Sequence, residues 1–227
     1  MLRARPYRDV LTGTHTLIHE NIFMKNYRMY ASSINERYVD ELVELLKKGG
    51  VVIYPTDSFY ALGCDALNNR AVERVCRIKG INPARQRLSM VCADISQASE
   101  FAKIDNKAFK LLKANLPGPF TFILPASPGL AKAFKGRHEV GVRVPANDIA
   151  RRIAEVLGNP LLSATADWEG AEEEELMRAE DVSLHFEDVA DAFVDAGDAP
   201  GRATAVVCLT GGGDPEIIRE GGEELRL

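Results

Sequence analysis

Several features that would classify this 227-residue chain at once are missing from it. No apolar run approaches the roughly 20 residues that cross a bilayer, so no membrane partner is expected. Residues 1–26 carry scattered Arg, His and Glu and no apolar core segment, so they do not read as an export signal. Cysteine is scarce: Cys64, Cys76, Cys92 and Cys208 lie far apart, without metal-ligand spacing. They read as reduced, buried small hydrophobes of a cytoplasmic protein. His15 and His19 share an i,i+4 spacing, but no Glu lies between them and no third ligand follows. A solvated face is favoured there over a metal site. The phosphate-loop pattern G-x-x-x-x-G-K-[ST] and the G-x-S-x-G elbow are both absent. Gly211-Gly212-Gly213 lacks dinucleotide-fingerprint spacing and a following helix, so it reads as a turn. The formal net charge is -5, so any contact with nucleic acid needs a local basic cluster.

What is present is led by V-V-I-Y-P-T-D-S-F-Y-A-L-G, residues 51–63. An apolar β-branched run meets Pro55, which cannot donate to a sheet ladder and so ends the strand. Thr56, Asp57, Ser58 and Tyr60 are then delivered to a buried strand end, where open α/β sheets hold ligands. With 46% hydrophobic residues, the chain can build one sizeable core.

Residues 1–27 lack periodicity and read as an extension; 28–227 read as the domain, beginning with a helix. Asn35, Asn68 or Asn69, Asp94, Asp105 and Asn147 are expected helix caps. Strands are expected near 51–54, 60–64, 88–92, 120–124, 139–144, 161–164, 192–195, 203–209 and 215–219. Residues 168–178, with Glu172, Glu173, Glu174 and Glu175, read as a solvated loop. Helices alternate with strands, some joined as hairpins, which predicts one α/β domain with a twisted mixed sheet.

Further polar groups gather at expected strand and helix ends. Lys79, Arg85, Arg87 and Ser89 form either a phosphate clamp or a solvated basic loop. Arg143, between Val142 and Val144 and ahead of Pro145, needs an anionic partner or must face outward. Ser163, Thr165 and Asp167 follow an apolar strand, as a ligand-facing set or a self-capping turn. Thr204, after Gly201-Arg202, repeats the theme. Together they suggest a pocket for a polyanion, most simply a nucleotide.

The strand and loop at 51–63, R-I-K-G, L-P-G-P-F-T-F-I-L, V-G-V-R-V-P-A-N and P-L-L-S-A-T-A-D stand in an order that resembles the YrdC-like domain family, most nearly its YciO branch. The resemblance implies a single YrdC/RibB-type α/β domain, with helices around a concave, locally basic cavity. It also implies a chemistry. Synthase members make threonylcarbamoyl-adenylate and pyrophosphate from ATP, threonine and bicarbonate, for threonylcarbamoyladenosine modification of tRNA. Carried over by position, Thr56 and Tyr60 would line the amino-acid end, and Lys79 and Arg143 would act on phosphates and other anionic groups. Ser163 and Thr165 would meet the nucleotide, and Thr204 would close the pocket. ATP or AMP with a substrate-bound Mg²⁺ is the implied ligand, and no tightly bound cofactor is expected. The chain has Ile81 where synthases carry Arg, Asp167 where they carry Asn, and Val91-Cys92 where they carry His. Asp167 is therefore a candidate Mg²⁺ ligand, bridged by substrate. The alternative is a non-catalytic factor that binds double-stranded RNA or tRNA.

Overall fold

The computed structural model describes residues 8–11, 17–20, 24–82, 89–127, 138–212 and 214–227. Arg8–Leu11 (β1) and Leu17–Glu20 (β2) pair as an antiparallel hairpin. Lys25–Arg28 (β3) pairs in parallel with Ala192–Asp195 (β10) at one edge of a ten-stranded sheet. Met24 and Tyr27 are buried there, so the sheet begins ahead of the expected boundary at residue 28. Four residues with a single buried side chain leave no periodicity to read; the strand exists through its pairing with β10.

From β3 inward the sheet continues with Val52–Tyr54 (β4), Ala61–Asp65 (β5), Leu161–Thr165 (β9) and Ser89–Val91 (β6). It ends with Glu139–Arg143 (β8), Phe120–Pro125 (β7), Ala205–Cys208 (β11) and Glu216–Arg219 (β12). Parallel and antiparallel pairs mix: β6 runs parallel to β8 and antiparallel to β9.

Helices start where short acceptors sit. Asn35 opens Glu36–Lys47 (α1), and Asn68 rather than Asn69 opens Asn69–Ile78 (α2). Asp94 opens Ile95–Phe101 (α3), Asp105 opens Asn106–Asn115 (α4) and Asn147 opens Asp148–Leu157 (α5). In each case the side chain accepts a hydrogen bond from an otherwise unmet N–H of the first turn. The acidic run is not a loop throughout. Glu173–Met177 (α6) is a short helix, and the Glu175 carboxylate accepts from the Glu172 N–H at 2.8 Å. Acidic side chains in a first turn favour the helix there. Ala179–Phe186 (α7) follows.

Alternation along the strands divides the interior. Ile53, Leu62, Met90, Val142, Leu162 and Phe193 enter the larger core. Val52, Tyr54, Val91, Leu161 and Val194 enter a smaller one under α1 and α5. Ser89 and Ser163, paired across β6 and β9, share the second parity but lie outside the smaller core. Where α1 and α5 stop covering that face, the side chains turn polar. Among the described residues no helix is long and apolar enough to cross a membrane.

Candidate functional site

A cavity of about 500 Å³ opens at these polar positions. Ser89 of β6, Arg143 of β8 and Ser163 and Thr165 of β9 line it. Lys79, the cap residue at the end of α2, and Asp167, just beyond β9, stand at its wall. Thr204, just ahead of β11, also lines it. The floor depends on Gly141: a Cβ there would lie 2.6 Å from the Ser89 hydroxyl.

The cations of the cavity are differently engaged. Arg143 donates to the Asp57 carboxylate at 2.9 Å, and both side chains are about nine-tenths buried. The second Asp57 oxygen accepts from the Ala146 N–H at 2.7 Å. The Arg143 Nε finds no partner among the described residues, so the guanidinium fork is only partly used. Lys79 donates to both the carboxylate and the main-chain carbonyl of Asp167. The Lys79 side chain is 12% exposed and that of Asp167 is 51% exposed.

A third cation, Arg219 of β12, also lines the cavity and was not anticipated. Its guanidinium donates to the Thr204 carbonyl at 3.1 and 2.9 Å and to the Thr204 hydroxyl at 3.0 Å. Thr121 joins from β7, its hydroxyl 3.5 Å from that of Thr204. The signal for Arg219 was available: Ile217-Ile218-Arg219 is another cation ending an apolar strand, the pattern that marked Arg143.

Thr56 and Tyr60 are placed elsewhere. The Thr56 hydroxyl donates to the Phe59 carbonyl at 2.7 Å and accepts from the Ser58 N–H at 3.0 Å. The Tyr60 ring belongs to the larger core. Its hydroxyl donates to the Gly197 carbonyl at 2.6 Å and accepts from the Ala196 N–H at 3.1 Å. Burial pushes that phenol up to about 12, so it stays protonated. Neither residue lines the cavity, because the loop after β4 spends its hydroxyls on main-chain partners. Arg85 and Arg87 lie outside the described residues.

Beside the Lys79–Asp167 pair, Trp168 stacks on His185 at 4.2 Å and 10° between planes. Burial and the nearby charge of Lys79 lower the His185 pKa. Asp167 is held by an ammonium, and no group of three His, Cys, Asp or Glu among the described residues could hold a metal. The residues therefore do not fit a protein-held Mg²⁺, which prefers oxygen ligands in octahedral array.

Fold and cavity define the chain as a mixed α/β domain, with seven helices among the described residues and a hollow lined by hydroxyls and cations. The sequence profile of the Sua5, YciO and YrdC family, described as "Telomere recombination", matches residues 44–221, and the chain belongs to that family. It is 36% identical over 197 residues to the uncharacterized protein YciO of Escherichia coli K12, covering 86% of this chain and 94% of that one. The crystal structure of E. coli YciO superposes with a TM-score of 0.80 at 33% identity, over 89% of this chain and 98% of YciO. P. abyssi Sua5, in its complex with L-threonine, gives 0.78 at 29% identity, over 88% of this chain and 57% of that longer one.

Proposed function

We propose that the cavity binds a nucleotide and that the protein acts on a carbamoyl adenylate in tRNA modification. The reaction is threonylcarbamoyl-adenylate synthesis from ATP, threonine and bicarbonate, or a related step such as hydrolysis of that adenylate. One observation carries the reading: Lys79, Arg143 and Arg219 share a hollow with Ser89, Ser163, Thr165 and Thr204. The similarity to Sua5, studied with threonine bound, supports the choice of chemistry.

The residues suit both directions. In synthesis, a carbamate oxygen bonds to the α-phosphorus as the bond to the β-phosphoryl oxygen breaks and pyrophosphate leaves. In hydrolysis, a water oxygen bonds to the α-phosphorus as its bond to the carbamate oxygen breaks, giving AMP and the free carbamate, with a water proton released to solvent. Either path gathers negative charge on phosphoryl oxygens. Fixed guanidinium, ammonium and hydroxyl donors stabilise that charge without reorganising. Arg143 is pre-aimed by Asp57, and Arg219 by Thr204. Magnesium accompanies the triphosphate as part of the substrate.

The test is incubation with ATP, Mg²⁺ and bicarbonate, with and without threonine, and separately with threonylcarbamoyl-adenylate. Threonine-dependent pyrophosphate release or formation of AMP from the adenylate is expected. Neither product would leave the alternative, a binding factor for tRNA or double-stranded RNA. One feature favours an RNA contact: exposed Lys107, Lys110 and Lys113 follow one another along α4 on a chain of net charge -5. RNA affinity that falls steeply with salt would support it.

A further inference from the structure

We infer that Asp167 is a specificity-determining residue: it makes the cavity favour a nucleotide with a single phosphoryl group over a triphosphate. The inference rests on the nucleotide reading above and narrows its substrate class.

Lys79 is the cation at the wall of the cavity, and it is already engaged. An ammonium has three donors, and both the carboxylate and the carbonyl of Asp167 accept from this one. Arg143 has its own resident carboxylate in Asp57. Among the described cations that line the cavity, only Arg219 is bonded to neutral oxygens alone. The charge that the described residues leave over for a ligand is therefore small.

One phosphoryl group carries about -1.5 to -2 charge. Arg219 and Arg143, which both line the cavity, can meet it while Lys79 stays with Asp167. A triphosphate adds charge at each further phosphoryl and needs Lys79 as well. Lys79 can turn toward a phosphate, but Asp167 stays behind on the same wall, now without its partner. A carboxylate at roughly 4 Å from a phosphate oxygen weakens binding by about tenfold or more. Asn at this position would keep an oxygen acceptor for Lys79 and remove the charge.

For the metal-free nucleotides the consequence is directional: a cavity balanced in this way favours an adenylate already made over a bare triphosphate.

Calorimetry in magnesium-free buffer tests this, because Mg²⁺ would mask the triphosphate charge. The probes are AMP and ATP, titrated into the full chain and into Asp167→Asn and Asp167→Glu, with thermal melts to show that each variant is folded. The full chain should bind AMP more tightly than ATP. Asp167→Asn should raise ATP affinity about tenfold and change AMP affinity less than about threefold. Asp167→Glu should keep the original order. Tighter ATP binding by the full chain, or an unchanged ratio in Asp167→Asn, overturns the inference and leaves the nucleotide reading standing. No binding of either nucleotide overturns both.

Discussion

The two ion pairs of the cavity, Arg143 with Asp57 and Lys79 with Asp167, differ in their surroundings. The first is buried on both sides and tied to the main chain at Ala146. The second has a buried cation and a carboxylate half open to water. A buried pair cannot lose one member without stranding the other, whereas an open one exchanges partners at little cost. The first therefore belongs to the architecture that aims Arg143, and the second can respond to a ligand.

Asp57→Ala should break this comparison most visibly. It strands a buried guanidinium and the Ala146 N–H, and should lower stability by about 3–5 kcal/mol in chemical denaturation. Arg143→Met together with Asp57→Leu should recover much of that loss, since apolar replacement of both partners removes the stranded charge. Next comes Gly141→Val, whose new side chain collides with Ser89 on the cavity floor. It should cost about 1–3 kcal/mol and weaken nucleotide binding, as read by denaturation and calorimetry on the same sample. Asp167→Asn should be milder, within about 1 kcal/mol, because the Asp167 side chain is half solvated. A loss for Asp167→Asn that rivals that of Asp57→Ala would erase the distinction between the two pairs.

The smallest expected effect is one of pH. The His185 pKa lies below its ordinary value of 6.5 in the folded chain, through burial and the charge of Lys79. Between the two values the unfolded chain binds more protons, so stability is fully present above pH 6.5 and falls as the pH drops below it. His185→Asn should flatten this slope in thermal melts taken from pH 5 to pH 7. An unchanged slope would assign it to other groups.

How much of this was legible depended on range. The caps at Asn35, Asn68, Asp94, Asp105 and Asn147 could be read because each acts within three residues of itself. Arg143 could be suspected because an Arg among valines needs an anion, yet nothing nearby named Asp57, 86 residues away, as the partner. The partners of the loop after β4 were out of reach of the sequence for the same reason. Its hydroxyls looked ready for a ligand, but Tyr60 is matched by Gly197 and Ser58 by the Arg202 carbonyl, 137 and 144 residues away. Only the closed fold shows that those donors are spent. The α6 helix is hard to read because a run of four like charges signals a solvated loop more strongly than the cap that Glu175 supplies signals a helix.

Arg219 sits on the last strand and so has a temporal consequence. A ribosome delivers the amino end first, so β3 through β11, and the stretch between them that holds Lys79 and Arg143, are made before this guanidinium. The hollow stays unfinished until β12 has left the ribosome. A chain stopped ahead of Arg219 would retain nearly all its hydrophobic interior while its cavity lacked this cation.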